Sequence, residues 1–326
     1  MKTACVAPNI QYPIPNHLLS IAGKYRMYST TPNTELSSSH LAARSRTRRR
    51  AYEGAWAFFW YIVLTAVGVA LALPLLWLVS TSLKTGPQTF VMPPQWIPNP
   101  FVWKNYPEAF QAVPFQRYFW NTAQIVVFAT LGTLLTASMA AFAFARLRFP
   151  WREQLFLLVL STIMLPSIVT LIPTFIVFRW LKWINTLLPL IVPLWMGGGA
   201  FNVFLFRQFF MTIPYELDEA ARIDGASNYR IYWSIILPLS KPVVATIAVF
   251  SFIHHWNDFF QPLIYLQNPD KWTMAIGLLG FKGLYATSWN LMMAASTAMI
   301  LPLLVLFFFA QRYFVSGIQM SGLAGR

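Results

Sequence analysis

The residues best placed to do chemistry in this sequence are acids. Between Pro214 and Gly225 stand Glu216, Asp218, Glu219 and Asp224 against a single base, Arg222. The chain as a whole carries a formal charge of +14, so this acidic stretch is out of character. Pro214 suits the first turn of a helix, with Thr212 or a neighbour as its cap. Glu216, Asp218 and Glu219 then fall near the positive end of the helix macrodipole. Gly225 is placed to stop the helix in a left-handed conformation. A second short helix is expected through Tyr229, Tyr232 and Trp233, with Pro238 ending it; spacings of three and four put the three rings on about one face. An acidic helix followed by an aromatic one suits docking to a basic, grooved partner. It equally suits a solvated amphipathic hairpin, and the pattern alone leaves both open.

A second group of polar residues interrupts apolar sequence. Trp256, Asn257 and Asp258 break one hydrophobic stretch, and Asn202 follows Gly197-Gly198-Gly199 in another. Aromatic and amide side chains suit a polar solute, by stacking and by hydrogen bonds. An acid inside a membrane faces a cavity or a partner. The alternative is that Asn257 and Asp258 fix helix packing, and the glycine triplet reads first as a site of close helix approach. His254 and His255 have no carboxylates at ligand spacing, so no metal site is expected. The lone Cys5 excludes a disulfide framework. There is no G-x-x-x-x-G-K-[ST], H-E-x-x-H or G-x-S-x-G sequence, so no catalytic residue and no cofactor is assigned to this chain.

The elements that must position these residues are membrane helices. Hydrophobic residues make up 57% of the chain and charged ones 10%, with a mean hydropathy of +0.52. A soluble domain carries roughly a quarter charged residues, so little of this chain faces water. Six apolar stretches lie at about 55–83, 118–145, 154–178, 183–206, 242–266 and 283–311. Each approaches or exceeds the roughly 20 residues a helix needs to cross the hydrocarbon. Lipid leaves no backbone group unpaired, and no alternating pattern suggests a barrel, so the expected fold is an all-α polytopic membrane protein. With the N-terminus inside, 17 of the 24 Lys and Arg fall on the cytoplasmic side, which places both termini in the cytoplasm. The acidic hairpin then lies in a cytoplasmic loop, 208–241, between the fourth and fifth spans. Residues 1–50 end in Arg44-Ser-Arg-Thr-Arg-Arg-Arg50 and read as a disordered basic tail lying against anionic headgroups, not as a nucleic-acid site. Residues 51–326 form the membrane domain. Pro74, Pro166, Pro173, Pro189, Pro193, Pro262 and Pro302 are expected to kink the spans.

Glu219-Ala220-Ala221, three residues, Gly225, nine residues and Ile235-x-Leu237-Pro238 are similar to the EAA loop of permease subunits of ABC importers. Ala221-Arg222-Ile223-Asp224-Gly225-Ala226-Ser227, Trp256-Asn257-Asp258-Phe259 and Gln311-Arg312-Tyr313-Phe314-Val315-Ser316-Gly317 resemble the carbohydrate-importer group, in particular the smaller, six-span partner of maltose-type systems. The tail Gly322-Leu323-Ala324-Gly325-Arg326 departs from that group's usual ending. The resemblance implies a prokaryotic inner-membrane permease for a sugar. Its partners would be a second homologous permease, two ATPase subunits and an extracytoplasmic substrate-binding protein. Glu219, Ala220, Ala221, Asp224, Gly225, Ala226, Leu237 and Pro238 would couple to an ATPase, with Glu219 pairing to a basic residue there and Gly225 and Ala226 permitting close backbone approach. Asn202, Trp256, Asn257 and Asp258 are the pathway candidates. The competing expectations are an ABC permease for another polar solute, such as glycerol phosphate or a polyamine, an intramembrane enzyme, and a self-sufficient secondary transporter.

Overall fold

The computed structural model describes residues 34–283 and 287–323. Among them the secondary structure is helical, apart from one isolated bridge between Lys282 and Thr287. The helices are α1 (Thr34–Ser82), α2 (Asn105–Ala112), α3 (Phe115–Arg146), α4 (Arg152–Ser161), α5 (Ser167–Trp180), α6 (Leu188–Ile191), α7 (Ala200–Thr212), α8 (Glu216–Ile223), α9 (Asn228–Ile231), α10 (Leu237–Leu239), α11 (Lys241–Asn257), α12 (Phe260–Tyr265), α13 (Met274–Gly277) and α14 (Trp289–Leu323). Four stretches are long and apolar enough to cross a membrane: Trp56–Ser82, Phe115–Arg146, Leu188–Thr212 and Trp289–Gln311. Two bent pairs, Arg152–Met164 with Ser167–Trp180 and Asn228–Leu239 with Lys241–Asn257, raise the number to six if each is one crossing.

The chain divides into two units, with the boundary between Ala72 and Leu73 inside α1. In the first unit the rings of Trp56, Phe59 and Trp60 pack on one another. The helix begins at Thr34, so the end of the expected disordered tail is helical, and residues 1–33 lie outside the described residues. Residues 34–50 contain neither Gly nor Pro. Adding turns to an existing helix avoids the cost of nucleating one.

In the second unit α3 is the central element, packing against α7 and α11. Its buried face is mostly small: Ala129, Gly132, Thr133, Ala137, Ser138 and Ala141. Small residues let helix backbones approach closely where lipid supplies no hydrophobic drive between helices. A Cβ at Gly132 would sit 2.5 Å from the Trp195 ring, whose Nε1 donates to Phe128 O.

Three expected spans are broken. The third turns through 100° at Leu165-Pro166, between α4 and α5. The fourth is interrupted at Gly197-Gly198-Gly199, all three at positive φ, between the turn at Val192–Trp195 and α7. Close helix approach is the first reading of the triplet, and the structure shows it together with unwinding. The segment is unwound, and within it Gly198 also makes a close approach, since a Cβ there would meet Ala137 Cβ at 2.6 Å and Thr133 O at 2.7 Å. The fifth ends at Asn257, where Asp258 turns extended before α12. Pro74, Pro173 and Pro302, by contrast, lie inside continuous helices.

Candidate functional site

Helix α8 forms where the acids predict it, but without a side-chain cap. Tyr215 O accepts from the amides of Asp218 and Glu219, and the Thr212 hydroxyl donates back to Phe209 O instead of capping. At the other end Gly225, with φ +78, closes the helix by a paired turn: Ala226 N donates to Ala221 O at 2.9 Å and Gly225 N to Arg222 O at 3.0 Å. Both bonds satisfy carbonyls that a helix end leaves open. A Cβ at Gly225 would meet no atom of the chain, so the backbone angle is what demands glycine here.

The chain then restarts at Ser227, whose hydroxyl accepts from Arg230 N. Helix α9 passes through a π-helical turn, Tyr232–Ile236, into α10. Pro238 stands next to the end of this helix, which stops at Leu239 before a 77° bend into α11. In a regular helix its ring would collide with the Ser234 carbonyl, and the wider turn stands directly ahead of it. The three rings adjoin, Trp233 meeting both Tyr229 and Tyr232 edge-on, but they differ in burial. Tyr229 is 67% exposed and Trp233 half-exposed, while Tyr232 is buried with its hydroxyl 2.7 Å from Ser138 Oγ on α3.

Asp218 is the largest departure from the sequence reading. It counts there as one of the acids at the start of the helix, and the structure turns it inward to 1% exposure. Its Oδ2 lies 3.4 Å from Nη1 of Arg146, itself 4% exposed at the end of α3. Nη2 of Arg146 also donates to Phe210 O and, at 2.7 Å, to Ile213 O. One guanidinium thus joins the end of α3, the end of α7 and α8. Burial pushes the Asp218 carboxyl above the usual carboxylate range, and Arg146 and then Arg222 offset this in part. Sequence reasoning took Arg146 as a charge that sets orientation. The signal available was the spacing of Asp218 and Ala221, three apart on the buried face of α8.

The hairpin consequently has two sides. Inward, Ala221, Ile231, Tyr232 and Ile236 join a core with Phe142, Phe206 and Phe210. Outward, Glu216, Glu219, Ala220, Asp224 and Gly225 are exposed together with Ile223 at 86%. Pro238 is exposed, and Ala226 and Leu237 are half-buried.

The pathway candidates are dispersed. Trp256 is buried; it stacks on Phe252, meets Phe119 edge-on and donates Nε1 to Met299 O at 3.0 Å. Asn257 donates to Ile253 O in its own helix, and Asp258 Oδ1 accepts from Gln261 N at the start of α12. Asn202 Nδ2 donates to Gly198 O, which braces the unwound triplet. None of the four lines the cavity of about 260 Å³ enclosed by α5, α6, the end of α11 and α12. That cavity gathers Ser167, Thr170, Thr174, His254, His255, Gln261 and Tyr265 among apolar side chains. Polar groups at 167, 170 and 174 share one face of α5, a spacing that the sequence displayed. Among the described residues no three His, Cys, Asp or Glu side chains cluster to hold a metal.

Broken membrane helices packed around a small-residue span, with a folded hairpin projecting from one end, define a membrane permease. The chain matches the family described as binding-protein-dependent transport system inner membrane component over residues 132–320, and it belongs to that family. It is a transport subunit of an ABC-type importer, not an enzyme. Among its relatives is the sn-glycerol-3-phosphate transport system permease protein UgpE of Yersinia pestis, 35% identical over 79% of this chain and 95% of that protein. Another is the arabinooligosaccharides transport system permease protein AraQ of Halalkalibacterium halodurans, 36% identical over 64% of this chain and 74% of that protein. A chain from the crystal structure of a bacterial ABC transporter that imports the acidic polysaccharide alginate shares the fold. Its TM-score is 0.71 at 22% identity, over 79% of this chain and 96% of that one.

Proposed function

We propose that this chain forms half of the translocation pathway of an ATP-driven importer for a neutral sugar, and that the α8–α10 hairpin couples it to a separate ATPase. The carrying observation is the hairpin's two-sidedness. Its inner face is held to α3 and α7 by the Arg146–Asp218 contact. Its outer face presents Glu219 and the exposed Ile223 to whatever docks there. A force applied outside would pass to the spans without first bending the loop. Glu219 is the acid that pairs with a basic residue of the ATPase, and closure of the ATPases shifts the spans between outward- and inward-facing states. The further partners are a second permease, a second ATPase and an extracytoplasmic binding protein. Both termini of this chain lie in the cytoplasm.

The cavity chemistry favours a neutral polyol. Its lining offers hydroxyl, imidazole, amide and phenol groups and no Lys, Arg, Asp or Glu. A phosphorylated solute such as glycerol phosphate calls for guanidinium or ammonium groups, and a polyamine for carboxylates. Uptake by proteoliposomes holding the assembled complex and its binding protein tests both parts. Labelled arabino-oligosaccharide should accumulate on ATP addition, and Glu219→Lys should abolish accumulation while the subunit still inserts. Unchanged uptake by the variant would overturn the coupling role; accumulation of glycerol 3-phosphate alone would overturn the sugar reading.

A further inference from the structure

Where α3 meets the hairpin, a cavity of about 330 Å³ is lined by Arg146, Leu147, Arg148, Phe149, Arg222 and Asn228. We infer that it is a binding site for a phosphate group, filled by the headgroup of an anionic phospholipid on the hairpin's side of the membrane. This needs only a membrane, and stands whether or not the chain carries sugar.

Three guanidinium groups converge on this one space. The charge of Arg146 is offset by Asp218, but its Nε has no hydrogen-bond partner. Among the described residues neither Arg148 nor Arg222 has a carboxylate within ion-pair distance; Arg222 Nη2 bonds only the amide oxygen of Asn228, at 3.3 Å. Asp218 acts on Arg222 only from beyond ion-pair distance and is shared with Arg146, so three guanidinium groups face one cavity with one carboxylate between them, and an anion in that space would offset their repulsion. Guanidinium forks match phosphate oxygens two at a time.

The remaining wall fixes the source. Leu147 and Phe149 are apolar, and the Phe149 ring packs 6.0 Å from Phe144 in the last turn of the α3 span. Trp151, two residues on, is 73% exposed. Exposed tryptophan beside arginine at a span's end marks headgroup depth, where basic pockets take lipid phosphates. Arg152 lies just beyond, paired with Glu153 at 2.8 Å and donating Nη1 to Leu147 O from outside the cavity; it does not line the space itself, which makes it an internal control.

The test uses the full chain with its co-assembled subunits, in nanodiscs of phosphatidylcholine with or without phosphatidylglycerol. Native mass spectrometry then counts the phosphatidylglycerol retained after release. The wild type should retain it. Arg148→Gln and Arg222→Gln should each lower retention roughly fivefold, and Arg152→Gln should leave it unchanged. Both target side chains are exposed, so neither variant disturbs the fold. Retention that resists inorganic phosphate identifies the lipid as the source; displacement by inorganic phosphate still supports the phosphate site and assigns it to a soluble anion. Equal retention by all variants, or an equal loss in Arg152→Gln, would overturn the site. So would loss of the ATPase from Arg222→Gln with lipid retention intact, because the cavity would then hold a partner's carboxylate.

Discussion

Removing the two members of the Arg146–Asp218 contact should have opposite consequences. At 3.4 Å the attraction is worth about 5 kcal/mol gross for an effective dielectric near 20. Desolvating each ion costs several kcal/mol, and the raised pKa of Asp218 shows that desolvation outweighs attraction for the carboxylate. Asp218→Asn keeps the shape, removes the buried negative charge and leaves Arg146 its two carbonyl acceptors. With the carboxyl pKa raised in the folded chain, loss of its charge should change stability by less than about 1 kcal/mol, or raise it. Arg146→Met strands a buried carboxylate and orphans Ile213 O, while Phe210 O keeps its bond from Ile213 N, so it should cost about 3–5 kcal/mol. The assay is the thermal midpoint of the purified complex in detergent, followed by helix circular dichroism. The pH dependence has a definite sign. The folded chain holds the Asp218 proton more tightly than the unfolded one, so the wild type loses stability as pH rises from 3.8 through the raised folded value. The advantage of Asp218→Asn should therefore grow over that window and then level off. A loss of about 3 kcal/mol in Asp218→Asn, or a tolerated Arg146→Met, would refute the reasoning.

Gly225→Ala should cost about 1–2 kcal/mol from its φ of +78 alone, because the added methyl meets nothing. Gly198→Ala has similar strain at φ +66 plus contacts of 2.6 and 2.7 Å with α3, so its thermal midpoint should fall well below that of Gly225→Ala. Tyr232→Phe should lose about 1 kcal/mol or less, since Ser138 Oγ keeps its bond to Leu135 O at 3.1 Å. Trp256→Phe should cost about 1–3 kcal/mol of stability, because Met299 O loses its donor, yet leave the KM for sugar uptake unchanged; a shifted KM would place Trp256 in the pathway.

The crossing segments were legible because hydropathy is a property of composition and lipid admits one local solution. The breaks were legible only in part. Pro166 and the glycine triplet announce that something changes, but whether a helix bends, unwinds or packs closely depends on its neighbours. Ala137 lies against Gly198 from another span, out of reach of local pattern. The hairpin's ends were legible at Gly225 and, to within a residue, at Pro238; the wider turn ahead of that proline was not. Asp218 and Arg146 are more than 70 residues apart, so their pairing left no local trace. The four pathway candidates were chosen for polarity in apolar sequence; each makes a bond to a neighbouring backbone group, the packing role that the sequence leaves open beside the pathway one.

Arg146 has a consequence for the order of assembly. Its acceptors on Phe210 and Ile213 are 64 and 67 residues later in the chain. During synthesis α3 therefore enters the bilayer with a cation at its end whose permanent ligands do not yet exist. Until α7 follows, water and headgroups must solvate that charge, so the first helical hairpins can shift in depth. Arrival of the last turn of α7 withdraws the arginine from solvent and fixes their register in one late step.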